Sequence, residues 1–288
     1  MVKTILTMVM LLTGMTMARE IPHEAKVGGF ALGTQAYTFN RYSFYEAIDK
    51  TKETGCAVIE AYSGQKLSPE IDTVFNHLAD PSIWAKAKMK LEGTGVRLVN
   101  YGVVRFANEE EARKIFDFAK IMDIPAISIE PADTSPATFD LIEKLVREYD
   151  IHVGIHNHPQ RDDRPDYKWW DPNFILERTK GRDTRIGLAC DTGHWIRSGL
   201  NPLEEIKKVA AAGRIISLHL KDLNVAGRDG HDVPFGTGIG QVGAILDVLK
   251  EIRFRGNISI EYEHNWTTSV PEIAQCVDFV REHGKVHP

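Results

Sequence analysis

Eight short β-rich runs recur along the chain, and the spacing leaves room for one helix between each pair. They are Gly33–Tyr37, Ala57–Ala61, Val96–Val104, Ala126–Glu130, His152–His156, Ile186–Asp191, Ile215–Leu220 and Ile258–Tyr262. Their starts lie 24, 39, 30, 26, 34, 29 and 43 residues apart. The stretches between them carry apolar residues at a helical repeat. Tyr42–Thr54 places Phe44, Ala47, Ile48 and Thr51 on one face, and Glu109–Met122 does the same with Ala112, Ile115, Phe116 and Ala119. Further helices are expected over Ser82–Thr94, Pro136–Tyr149, Pro172–Lys180, Pro202–Ala212, Gln241–Ile252 and Pro271–His283. Gly55, Gly95 and Gly213 fall where helix C-caps belong, and Pro136, Pro172, Pro202 and Pro271 fall where first-turn prolines belong.

Strands alternating with helices make a parallel sheet, and eight such units close a (β/α)8 barrel, the TIM barrel. An open doubly wound sheet would carry a glycine fingerprint after its first strand. The segment Gly33-Thr-Gln-Ala-Tyr-Thr-Phe39 has none. No linker, repeat or low-complexity stretch divides the chain, so residues 19–288 read as one α/β domain. Hydrophobic residues make up 43% and charged residues 26% of the 288, which excludes disorder, collagen and coiled coil.

Met1–Ala18 reads as a secretory signal peptide: one lysine, the mostly apolar Thr4–Leu12, then small residues at Thr16 and Ala18. The apolar stretch is short for a bilayer span. The expectation is an exported, periplasmic protein with no membrane partner. Cys56, Cys190 and Cys276 are an odd, sparse set rather than a disulfide framework, and buried thiols are expected. The formal charge of −5 becomes −6 without Lys3, which argues against nucleic acid as a partner.

In a TIM barrel the strand C-termini and the loops after them build the active site. Here strand 2 ends in Glu60, strand 4 in Glu130, strand 5 in His156-Asn-His158 and strand 6 in Asp191-Thr-Gly-His194-Trp195. Strand 7 ends in His219-Leu-Lys221-Asp222, and strand 8 in Glu261-Tyr-Glu263-His264. Carboxylates and imidazoles closing apolar strands are costly to bury unless paired or metal-bound. Each has an ordinary structural explanation taken singly. Five successive strands ending this way point to one shared divalent cation. Lys221 and Glu263 each lie two residues after another polar strand-end group and so share its face.

These residues resemble the xylose isomerase-like barrel superfamily, which includes sugar isomerases, ketose 3-epimerases, inosose dehydratases and endonuclease IV-type DNA-repair enzymes. The resemblance covers nearly all of Gly33–His283. It is most specific at Asp191-Thr-Gly-His194, His219-Leu-Lys-Asp222 and Ile-Glu261-Tyr-Glu263, and the glycine-rich Asp229–Gly240 segment also fits. It implies one divalent ion, Mn²⁺ foremost, with Co²⁺, Mg²⁺ or Zn²⁺ as alternatives. Asp191, His219 and Glu261 match the epimerase ligands. His156 stands where that branch has a carboxylate, and Glu130 on the adjacent strand is a candidate to replace it. His158 is a candidate ligand or base. Lys221 reads as a contact to substrate oxygen or to an enediolate, and Glu263 as a base or supporting group. His194 resembles the family's substrate-binding histidine. Tyr37, Glu60, Trp170, Trp195, His231 and Trp266 complete the expected substrate contacts.

The expected function is a metal-dependent carbohydrate isomerase or epimerase. It would remove a proton next to a sugar carbonyl to give a metal-stabilised enediolate. The alternative is a lyase or hydratase on 3-keto-glycosides, in which the same first half-reaction ends in loss of the aglycone. An endonuclease IV-like enzyme and a non-catalytic sugar-binding module are the remaining alternatives. The partner is a small sugar or keto-glycoside, and the oligomeric state stays open, a homo-oligomer included.

Overall fold

The computed structural model describes residue 21 and residues 25–286, so the expected signal peptide lies outside the described residues. Eight parallel strands close into a barrel in chain order. They are β1 (Ala31–Gln35), β2 (Val58–Ala61), β3 (Arg97–Val104), β4 (Ala126–Ile129), β5 (His152–His156), β6 (Ile186–Asp191), β7 (Ile215–Leu220) and β8 (Asn257–Ile260). β8 pairs with β1 from Ala31↔Asn257 to Thr34↔Ile260, which seals the cylinder. Around it run α1 (Phe44–Glu53), α2 (Pro81–Thr94), α3 (Glu109–Met122), α4 (Pro136–Tyr149), α5 (Pro172–Thr179), α6 (Thr192–Arg197), α7 (Pro202–Ala211), α8 (Val242–Glu251) and α9 (Val270–Val286).

Local chemistry sets these boundaries. Ser43 and Glu46 form a capping box at the start of α1. Pro136, Pro172 and Pro202 open their helices behind the side-chain caps Ser135, Asp171 and Asn201. Gly95 ends α2 in the left-handed conformation, with φ of 71°. The apolar helix faces pack on the outside of the barrel in one continuous core that includes Phe44, Phe75, Phe116, Phe118 and Phe139. Among the described residues, no helix is long and apolar enough to cross a membrane.

The inside of the barrel is partly polar. Asn100, Ser128, Asn257 and Ser259 bond to one another or to the fully buried Glu60 of β2. This network lies beneath the strand C-termini and supports what stands on them. The structure differs from the sequence expectation at three places. Ala36–Phe39 is a 3-10 turn rather than the end of β1. β4 and β8 stop at Ile129 and Ile260, so Glu130 and Glu261 fall just past the strand ends, and Glu261 lines the mouth. The six-residue α6 follows β6 directly, and it is too short to leave a periodic signal.

Candidate active site

The mouth of the barrel holds a cavity of about 680 Å³. Its lining divides by chemistry. One part is aromatic: Tyr37, Tyr62 and Trp266, with Tyr37 meeting the other two rings edge-on at centroid distances of 5.3 and 5.8 Å. The other part is ionisable: His156, His158, His194, Arg105, Glu261 and Glu263.

The ends of β5 and β6 are locked together by Asn157. Its side-chain amide donates to the Asp191 carbonyl at 2.9 Å, and its oxygen accepts the Asp191 N–H at 2.8 Å. Asp191 in turn caps α6, Oδ1 accepting the His194 N–H at 2.7 Å, so the six-residue helix fixes where His194 stands. On the other side, Asp222 accepts the backbone N–H groups of Gly236, Gly238 and Gly240 at 2.9, 3.1 and 2.7 Å. A Cβ on Gly238 would sit 2.4 Å from Asp222 Oδ1. That close approach explains the glycine-rich segment.

At the centre, ligand atoms of His156, Asp191, His194 and Glu261 all lie within 4.8 Å of one another. His219 joins them: its Nδ1 is 3.1 Å from His156 Nε2, 3.2 Å from Glu261 Oε2 and 3.9 Å from Asp191 Oδ2. Atoms held about 2.1 Å from a common ion stand roughly 3.0 Å apart as neighbours and 4.2 Å apart when opposite. The donor set is mixed imidazole and carboxylate, and the fully buried Asp191 Oδ2 faces three imidazoles and the Lys221 ammonium. The residues fit a divalent ion.

The electrostatics divide the histidines. Burial pushes His156 down to about 4, against the pull of Asp191, and places His194 well below its ordinary value. Both are therefore neutral near pH 7, the form that ligates metal. Burial also disfavours a charged His219, but Glu60 and Glu261 outweigh it and raise that group. Glu60 receives His219 Nε2 at 3.0 Å, orienting the ring from below.

Lys221 lies within the same cluster. Its ammonium is fully buried, 3.0 Å from Asp191 Oδ2, 2.7 Å from Glu261 Oε2 and 3.0 Å from Glu263 Oε1.

The other expected residues fall as follows. Glu130 stands apart from the cluster, and its carboxylate contacts Arg105, His158 Nδ1 and, at 2.7 Å, the Tyr167 hydroxyl. Burial raises the Glu130 carboxyl, but His158, Tyr167 and Arg105 outweigh it and hold the group below its usual range. Tyr37 and Trp266 are on the cavity wall. Glu60 and Trp195 are fully buried and so lie behind the wall, Glu60 inside the barrel and Trp195 in the apolar core. Trp170 packs against the core. His231 stacks on His264 with centroids 4.3 Å apart, off the cavity lining. Sequence reasoning missed Gln35, Tyr62, His77, Arg105 and Tyr167. Gln35 and Arg105 follow the same strand-end rule on β1 and β3, which would have found them.

Residues 48–283 match the family model described as xylose isomerase-like TIM barrel. A crystal structure of an uncharacterised protein from Parabacteroides distasonis ATCC 8503 is 30% identical, with TM-score 0.70, over 88% of this chain and 99% of its own. A D-tagatose 3-epimerase-like protein is 19% identical, with TM-score 0.67, over 88% of this chain and 97% of its own. A barrel from Mycobacterium smegmatis, solved in complex with magnesium, is 13% identical, with TM-score 0.66, over 88% and 96%. No curated protein matches the chain. Closed barrel, polar mouth and matched model lead to one conclusion: this chain belongs to the xylose isomerase-like TIM barrel family.

Proposed function

We propose that the protein is a divalent-metal-dependent carbohydrate isomerase or epimerase that moves a proton next to a sugar carbonyl. The observation carrying this reading is the convergence of His156, Asp191, His219, Glu261 and His194 at the cavity floor, beside a histidine whose orientation is fixed. The similarity to a D-tagatose 3-epimerase-like structure agrees with it. A bound divalent ion supplies Lewis acidity for a carbonyl and hydroxyl pair of the substrate. Mn²⁺ is the proposed metal, with Mg²⁺, Co²⁺ and Zn²⁺ as substitutes.

The chain's own residues do the rest. His158 Nδ1 faces Glu130, an ionised carboxylate that only accepts, so in the neutral ring Nε2 carries the lone pair. His158 lines the cavity, and that nitrogen is the base that takes the carbon-bound proton. Glu263, also on the wall, is placed to return a proton or to hold a sugar hydroxyl. Tyr37, Tyr62 and Trp266 offer apolar faces and edges to a sugar ring and exclude water from it.

A second reading, a lyase on 3-keto-glycosides, is favoured by the size and aromatic lining of the cavity. Pockets of roughly 300–1,000 Å³ take drug-sized ligands, and the rings of Tyr37, Tyr62 and Trp266 suit a leaving aglycone. The test is proton exchange in D₂O. Keto-sugars and 3-keto-glycosides are incubated with the Mn²⁺-loaded protein and followed by NMR. Deuterium entering a carbon next to the carbonyl supports the first reading, and released aglycone supports the second. Neither signal, with metal bound, would overturn both. Export is part of the proposal and rests on residues 1–18; it predicts a mature N-terminus close to Arg19.

A further inference from the structure

Lys221 has three N–H donors and three carboxylates within reach: Asp191 at 3.0 Å, Glu261 at 2.7 Å and Glu263 at 3.0 Å. Two of these oxygens, Asp191 Oδ2 and Glu261 Oε2, are the atoms that also face His219 Nδ1, at 3.9 and 3.2 Å. The ammonium and a divalent ion therefore call on the same two oxygens. We propose that Lys221 is a built-in counter-cation that competes with the metal for Asp191 and Glu261, setting metal affinity and freeing its own N–H groups for substrate once the metal has bound.

The surroundings leave Lys221 little choice of seat. Its side chain is fully buried. Its backbone is clamped by Thr192: the Lys221 N–H donates to Thr192 Oγ1 at 2.9 Å, and Oγ1 donates to the Lys221 carbonyl at 3.1 Å. Its stem runs over Gly193, where an added Cβ would lie 2.6 Å from Lys221 Cδ and 2.9 Å from Lys221 Cβ. The glycine of Asp191-Thr-Gly-His194 thus makes room for the lysine. Without a cation, Asp191, Glu261 and Glu263 would crowd negative charge in a buried space, an expensive arrangement. Lys221 offsets part of that charge, beside Arg197 at 3.7 Å from Glu263 and His219 at 3.2 Å from Glu261. A metal ion arriving at Asp191 and Glu261 takes over that task, and it does so against the repulsion of a fixed positive charge. Glu263, whose Oε1 lies 3.0 Å from the ammonium, remains as the lysine's partner in the loaded site.

This inference rests on the metal reading above. The test is isothermal titration of MnCl₂ into chelator-stripped protein, comparing wild type with Lys221→Met. The expected result is at least tenfold tighter Mn²⁺ binding by Lys221→Met, together with a larger rise in melting temperature on adding Mn²⁺. If Lys221→Met does not fold without metal, Lys221→Gln gives the same comparison while keeping two N–H donors for the carboxylates. Equal or weaker Mn²⁺ binding by a variant with native circular dichroism would overturn the proposal. Failure of wild type to bind Mn²⁺ would overturn it together with the metal centre. The tighter-binding pattern in a protein that shows no proton exchange on any sugar would support the role of Lys221 and count against the proposed reaction alone.

Discussion

The Asp191 carboxylate divides its two oxygens between structure and chemistry. Oδ1 caps α6 through the His194 N–H, while Oδ2 faces Lys221, His156, His194 and His219. Asp191→Asn keeps an oxygen for the cap and loses the charge. Asp191→Asn and Glu261→Gln are each expected to retain the fold, read by circular dichroism, and to lose bound metal after dialysis, read by elemental mass spectrometry. In the proposed reaction His158 takes the proton and Glu130 orients it. His158→Ala is expected to lower turnover roughly 100- to 10,000-fold, and Glu130→Gln by a smaller factor through loss of the fixed tautomer. Both variants should keep full metal content, which separates Glu130 as a positioning residue from the ligands. The candidate ligands were legible in the sequence because barrel geometry sends every strand C-terminus to one place. The pairing of Glu130 with His158 was not, because partners 28 residues apart are brought together by the β4–β5 register and leave no local pattern.

The units of strand and helix were legible for a related reason: apolar periodicity and caps are local properties. α6 escaped notice because six residues make fewer than two turns. The inward direction of Glu60 was equally hidden, since strands of a parallel barrel are buried on both faces and lose the alternation that marks one side. Between α5 and β6 a charged cluster ties the elements together. Asp183 accepts from the Arg185 side chain at 2.8 and 3.0 Å, from the Arg185 N–H at 3.0 Å and from Arg147 at 3.4 Å. Arg185 foremost holds the Asp183 carboxyl well below its ordinary range. A group with a depressed folded value stabilises fully above its unfolded value, near 3.9, and loses that contribution as pH falls further. Asp183→Asn is therefore expected to cost about 1 kcal/mol at pH 7, with the difference from wild type shrinking below about pH 4. Denaturant titrations at pH 7 and pH 3 check this. An unchanged difference at both pH values would refute it.

At the scale of the whole molecule, one closed cylinder supplies both stability and site. Helices cover its outside with apolar residues, a polar network anchored on Glu60 fills part of its inside, and the candidate active-site groups stand on the rim. Cys56, Cys190 and Cys276 are free and buried in this framework. Burial pushes the Cys56 thiol up to about 12 and raises the other two as well. Thiolate is the reactive form, so an aromatic disulfide reagent is expected to label no thiol of the native protein and three after unfolding. Rapid labelling of the native state would show that the core opens. The same rigidity should hold the ligand set in place before any metal arrives, because His156, Asp191, His219 and Glu261 are all fixed by elements of the barrel wall. The most direct check is anomalous diffraction at the manganese edge from crystals soaked in MnCl₂. A single strong peak is expected among His156, Asp191, His194, His219 and Glu261; a clear map with no peak there, or with the ion held by Glu130 instead, would rule the shared site out.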